Sequence, residues 1–169
     1  MQKTKKNIRD IFEIAGEHIN AKENGESIII PHICNNANVF SGSFAQYIDS
    51  HYPEIKTNYS LLGRTFLSNN PGYVQFVDVD REPLYNRRLI IATMIAQNSL
   101  YSKNRRTLNY AYLVKSMIEV KKYVVRNFNA ESKIKILVAK NAFKQGNGNW
   151  TFITNLIEDV WGDIDTQTI

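Results

Sequence analysis

Residues 27–45, SIIIPHICNNANVFSGSFA, constrain this chain more than any other stretch. An apolar, β-branched run (Ile28, Ile29, Ile30, Ile33) reads as a buried strand. A polar loop with Asn35, Asn36 and Asn38 interrupts it, and a small-residue turn, Ser41, Gly42 and Ser43, comes next. After the turn, Phe44, Tyr47, Ile48 and His51 fall on one face of a helix. In α/β proteins this order places a loop at the carboxyl end of a strand. The helix start beyond it offers unpaired N–H groups and a positive dipole end, which suit a phosphorylated ligand. Pro31 lacks a ladder donor, so regular pairing is expected to stop near Ile30. Pro53 sets the end of the helix near His51.

A chain of 169 residues with 43% hydrophobic content is long enough for one core, here residues 1–162, with residues 163–169 expected as a frayed tail. No apolar run approaches the ~20 residues that span a bilayer, and the first ten residues lack a signal-peptide core. No membrane association is expected. The single cysteine, Cys34, leaves no internal disulfide and fits a reducing compartment, the cytoplasm (that of a host if the chain is phage-encoded). With that cysteine and three scattered histidines (His18, His32, His51), no metal-ligand spacing exists, and no cofactor is expected. The net charge of +5 gathers at residues 3–9, at Arg87 and Arg88, and at residues 103–106. Such a surface attracts nucleotides or nucleic acid, or is simply solvated.

The remaining pattern alternates strands and helices. Residues 7–14 do not settle between the two, and residues 15–27 read as polar with a turn at Asn24 and Gly25. Residues 61–68 and 73–80 read as the arms of a hairpin around Asn69, Asn70, Pro71 and Gly72, a type II turn sequence. Residues 89–96, LIIATMIA, form a strand covered on both faces. Residues 107–128 are the longest helix, with Ala111, Val114, Ile118 and Val125 as its apolar stripe. Residues 134–139 are a second buried strand. A last helix carries Ile153, Leu156, Ile157, Val160 and Trp161 on one face, with Asn149 or Asn147 as N-cap. These elements imply a three-layer α/β domain with a mixed central sheet and flanking helices. Two strand-to-helix loops, residues 35–44 and 141–150, share one end of that sheet and together could clamp a diphosphate.

The ordered phrases His32-Ile33-Cys34-Asn35-Asn36, Phe40-Ser41-Gly42-Ser43-Phe44, Leu62-Gly63, Val74-Gln75-Phe76-Val77, Thr93-Met94-Ile95-Ala96-Gln97, Asn109-Tyr110-Ala111-Tyr112-Leu113 and Gly148-Asn149-Trp150 resemble those of the macro domain, an ADP-ribose-binding α/β module, and most nearly its bacterial and phage-type members. The resemblance spans residues 8–161. It implies a three-layer macro-like fold and an ADP-ribose-type ligand. Asp10, with Ile11, sits where the family places its adenine-binding aspartate. The first loop (Asn35, Asn36, Ser41, Gly42, Ser43, Phe44) and the second (Phe143, Lys144, Gln145, Gly146, Asn147, Gly148) are implied as ligand contacts.

The chain also departs from the family. Ser41 and Ser43 replace glycines of the first loop, narrowing backbone approach while adding hydroxyl donors. Ala142 and Lys144 replace glycines of the second, and Lys144 can meet a phosphate as a point charge. The subgroup that cleaves ADP-ribose from proteins uses a lysine near where Gln97 stands and an aspartate in a second loop that here has none. Three readings stand side by side. The first is a module that binds, and thereby sequesters, an ADP-ribosyl nucleotide. The second is a hydrolase of ADP-ribose derivatives, such as the 1″-phosphate or ADP-ribosyl linkages, in which His32 and Asn36 activate water. The third is a basic nucleic-acid-associated protein.

Overall fold

A computed structural model describes residues 10–100 and 103–169. The basic cluster at residues 3–9 lies outside the described residues. Among the described residues five strands form one mixed sheet in the order β2-β3-β1-β4-β5. β1 (Ser27–Asn35) lies at its centre, buried at every position. It runs parallel to β3 (Arg87–Gln97) on one side and to β4 (Ile134–Val138) on the other. β2 (Val74–Glu82) pairs antiparallel with β3 at one edge, and β5 (Asp165–Thr168) pairs parallel with β4 at the other.

A strand buried on both faces needs cover on both, and its unbroken isoleucines reflect that need. Two helical groups supply the cover. α1 (Ile11–Asn20) buries Ile11, Phe12, Ile14, Ala15 and Ile19. The Phe12 ring stacks on Tyr47 of α2 (Ser43–His51), with centroids 5.1 Å apart. α5 (Tyr110–Asn127) packs against α7 (Trp150–Trp161), where the Trp161 indole N–H donates to the Met117 carbonyl at 2.9 Å. Asn109 and Asn149 cap these two helices, each accepting a backbone N–H three residues on.

Several expectations are corrected. The undecided start is helical, and α1 runs six residues into the stretch read as polar because Ala15 and Ile19 complete its buried face. Pro31 ends pairing on one side only: the ladder with β4 stops at Ile29, whereas β1 stays in register with β3 from Ile28↔Leu89 to Cys34↔Ile95. The Ser27 N–H donates to the Lys133 carbonyl, so odd-numbered N–H groups of β1 point toward β4. The β1–β4 ladder stops at Ile29 although β4 runs on to Val138, so Pro31 stands where the next donor toward β4 would be, while the even-numbered N–H groups that face β3 are unaffected.

Residues 61–68 are helical rather than a hairpin arm. They belong to α3 (Pro53–Leu62) and α4 (Arg64–Asn69), separated by Gly63, and Leu67 is buried while Leu61 is 78% exposed. The expected turn itself is present, since Tyr73 N–H donates to the Asn70 carbonyl around Pro71 and Gly72. It joins a helix to β2, and the true hairpin is β2–β3. In α5 the buried stripe is Leu113, Ser116, Met117 and Val120; Val125 is 74% exposed. The stretch expected to fray after Gly162 is β5, whose Asp165 pairs with Lys135 at 2.5 Å and whose end, Ile169, packs against the core.

Candidate functional site

Three parallel strands, β1, β3 and β4, end together on one side of the sheet, and the loops leaving them shape a cleft. Between Cys34 and Asn35 the β1–β3 register shifts, leaving Ala96 without a register partner on β1 and setting Asn35 opposite Gln97. Such an irregularity at a strand end re-aims the side chains beyond it. After β4 a four-residue turn of helix, α6 (Lys140–Phe143), leads into the second loop. The resulting cleft, about 350 Å³, is lined by Asn35, Ser41, Gly42, Ser43 and Gln97 on one side and by Asn141, Lys144, Gln145 and Gly146 on the other.

The first loop is built on Asn35. Its side-chain carbonyl oxygen accepts the Ala37 and Val39 N–H groups, its amide donates to the Val39 carbonyl at 2.7 Å, and the buried Tyr59 hydroxyl donates to its backbone carbonyl at 2.7 Å. Asn36 ties this loop to the one after β3: its amide donates to Asn98 Oδ1 at 3.0 Å and its carbonyl accepts the Ser99 N–H at 2.8 Å. Both asparagines therefore spend their side chains on holding the loop.

Beyond them Gly42 begins α2 with φ of 103°, and no side chain caps this helix. The first-turn N–H groups of α2 are thus left without the side-chain acceptor that most helix starts carry. A Cβ at Gly42 would stand 2.6 Å from the Gln145 amide nitrogen, so the two loops meet there. Gly146, with φ of 73°, accepts the Thr107 and Leu108 N–H groups through its carbonyl, and a Cβ would stand 2.6 Å from the Leu108 nitrogen. Both positions need glycine for conformation and for room.

The lining is amide, hydroxyl, backbone and one ammonium, Lys144; no acidic side chain contributes. Asp10 stands apart from this lining, at the N-cap of α1, where its Oδ1 accepts the Phe12 N–H at 2.7 Å. Burial acts to raise its carboxyl, but the Tyr47 hydroxyl, the Phe12 N–H and the nearby His51 outweigh it and hold it below the usual carboxylate range. Tyr47 lies four residues along α2 from Ser43, roughly 6 Å of helix rise. The cleft and Asp10 therefore flank the same helix.

The structure redistributes the other residues read from the sequence. His32 is 1% exposed, and its Nε2 is hydrogen-bonded to the Thr93 hydroxyl at 2.8 Å. Burial pushes its pKa from the ordinary 6.5 down to about 3, so the ring is neutral, structural and out of reach of a water in the cleft. Asn36, its expected catalytic companion, has both ends of its amide engaged. Phe44 is buried among His32 and Tyr47, and Phe143 is buried edge-on to Trp161; neither forms a wall. Ile11 is core. Asn147 donates to the Arg105 carbonyl, and Gly148 packs beside Leu108 and Ile153, both outside the lining. Gln97 and Asn141 line the cleft without having been singled out as contacts. Aligning the ends of β1 and β3 would have found Gln97, whereas Asn141 depended on a helical turn too short to read. Among the described residues no cluster of histidine, cysteine and carboxylate could hold a metal. No helix among them is long and apolar enough to cross a membrane.

No family model matches the sequence, and no curated protein matches it either. Solved structures do match the fold. A protein from Bacteroides thetaiotaomicron superposes with a TM-score of 0.68 at 19% identity, covering 89% of this chain and 94% of that one. A macrodomain protein from Streptomyces coelicolor gives 0.62 at 20% identity, covering 85% and 87%. DarTG from Thermosipho africanus, solved in complex with ADP-ribose, gives 0.57 at 12% identity, covering 83% of this chain and 37% of that one.

Proposed function

We propose, from the macrodomain fold and this cleft, that the chain binds ADP-ribose or an ADP-ribosyl nucleotide and thereby withholds it from other proteins. The observation that carries the reading is the uncapped start of α2, opening at Gly42 onto a second loop that presents Lys144 and Gln145 across the cleft. A diphosphate placed there accepts the first-turn N–H groups of α2 along its dipole and meets the Lys144 ammonium. Asp10, held ionised, accepts the exocyclic amino group of adenine from beside Tyr47. Ser41, Ser43, Gln97 and Asn141 supply donors and acceptors for ribose hydroxyls. Binding is favoured over hydrolysis because the lining carries no carboxylate or titratable histidine to activate water. The ADP-ribose complex of the Thermosipho africanus protein supports the choice of ligand.

Calorimetric titration with ADP-ribose tests this. Saturable binding is expected. Gly42→Val, which forces a β-branched residue to positive φ against Gln145, should abolish it. Asp10→Ala should weaken it about tenfold or more, the worth of one charge-assisted hydrogen bond. Because Asp10 also caps α1, its variant is compared at matched folded fraction. Absence of heat with ADP-ribose would refute the reading.

A further inference from the structure

The opposite end of the sheet carries a second, larger cavity of about 630 Å³ that the cleft does not explain. Ser27 begins β1, Arg87 and Arg88 begin β3, and Lys133 precedes β4, so the cavity lies at the amino ends of the three parallel strands. The nine residues of β1 separate it from the cleft by roughly 26 Å.

Four cations face this space: Arg81, Arg87, Arg88 and Lys133. Two carboxylates oppose them. Asp78 Oδ2 is shared between Arg81 at 3.2 Å and Arg88 at 3.4 Å, and Glu131 stands on the rim. Arg87 and Lys133 form no ion pair among the described residues. Arg87 donates to the Ile19 and Ala21 carbonyls and lies over the Tyr85 ring, 4.3 Å from its centroid. Its guanidinium fills the space over Gly25, where a Cβ would overlap it. Arg88 is held over the Phe128 ring at 4.4 Å with its side chain 16% exposed. Lys133 donates to Asn24 Oδ1 at 3.1 Å.

These arrangements hold Arg87 and Arg88 in place before any ligand arrives, so little of their side-chain freedom remains to be lost on binding. Arginine forks so held match the oxygens of phosphate bidentately. The basic residues ring a bounded cavity within the size range of small-molecule sites rather than lying along a stripe, which favours a compact anion over an extended strand. We propose that this cavity is a second ligand site, for a small molecule bearing clustered phosphates. Arg81, Arg87, Arg88 and Lys133 bind the phosphate chain, while Asn24 and Asn86 on its wall supply amide donors. The site does not depend on what the cleft binds.

Calorimetry of the full chain with inorganic tripolyphosphate, at ~50 mM salt where exposed charges are weakly screened, tests the proposal. Saturable binding is expected. Arg81→Gln with Lys133→Gln, both exposed and so harmless to folding, should weaken it about tenfold or more while ADP-ribose titration stays unchanged. With the cleft first saturated with ADP-ribose, Lys144→Gln should leave the remaining tripolyphosphate binding unaltered. ATP run in parallel distinguishes the source of the phosphates: equal affinity assigns recognition to the chain of phosphates alone, and tighter binding adds the nucleoside. Three outcomes would overturn the proposal: no saturable heat with tripolyphosphate, an affinity indifferent to the double variant, or that remaining binding lost in Lys144→Gln. Capture of a short single-stranded oligonucleotide without tripolyphosphate binding would instead identify a nucleic-acid surface.

Discussion

A histidine placed under a ligand loop is chemically useful only if it can change charge there, and His32 cannot. Its ring is sealed between Phe40, Phe44 and Thr93, and burial opposes its protonation. The unfolded chain takes up a proton near 6.5, the folded chain only near 3, so this contribution to stability is complete above 6.5 and is lost as the pH falls through that window. Urea unfolding between pH 7 and 5 should show a loss of at most about 1.4 kcal/mol per pH unit from this residue. His32→Gln, which retains a hydrogen-bonding group toward Thr93, should flatten that slope; an unchanged slope would show that His32 is not its source. The two loops are legible in the sequence because asparagine, serine and glycine at strand ends have local causes. Residues that hold a loop are not separable there from residues that face a ligand. Asn36 and Phe143 look alike in the sequence to the groups that line the cleft, and only Asn98 and Trp161, distant in the chain, assign them otherwise.

Among the elements, α5 tests which face of a helix the sheet selects. Its sequence offers more than one apolar stripe, and the one containing Ile118 and Val125 faces outward, whereas Met117 and Val120 are fully buried. Met117→Ala should therefore cost about 2–5 kcal/mol, and Val125→Lys should stay within about 0.5 kcal/mol of the parent. Equal effects in urea denaturation would contradict this orientation. The start of α7 was far more legible, since Asn149 acts on an N–H three residues away and needs no tertiary partner, whereas α5 begins at Tyr110 behind its cap Asn109, later than the expected residue 107. Pro31 shows the reverse. Its effect on the ladder depends on which neighbour its nitrogen faces, and that neighbour, β4, is about a hundred residues further along the chain.

At the scale of the whole molecule, the last residues complete the sheet. β5 adds an edge strand in register from Lys135↔Asp165 to Val138↔Thr168, and Ile164 and Ile169 pack against the core. Removing residues 163–169 should destabilise the chain by on the order of 2 kcal/mol, the net worth of a few ladder hydrogen bonds. The Lys140 N–H donates to the Ile169 carbonyl, so the same deletion frees the start of α6 and should weaken ADP-ribose binding through the second loop. A truncated chain with the parent's unfolding midpoint would show that β5 is dispensable. The polar residues 165–168, DTQT, conceal this strand because an edge strand needs backbone partners more than apolar side chains.

The sequence by itself determined the α/β class, the buried strands β1, β3 and β4, the cap of α7, and the two loops at one end of the sheet. Each arises from local periodicity, burial demand or turn chemistry within a few residues. The tertiary structure alone decided the strand order, the side on which Pro31 ends pairing, the stripe that α5 buries, the recruitment of β5 and the basic cavity at the far end. All of these depend on contacts between residues tens of positions apart, whose energies no local pattern records.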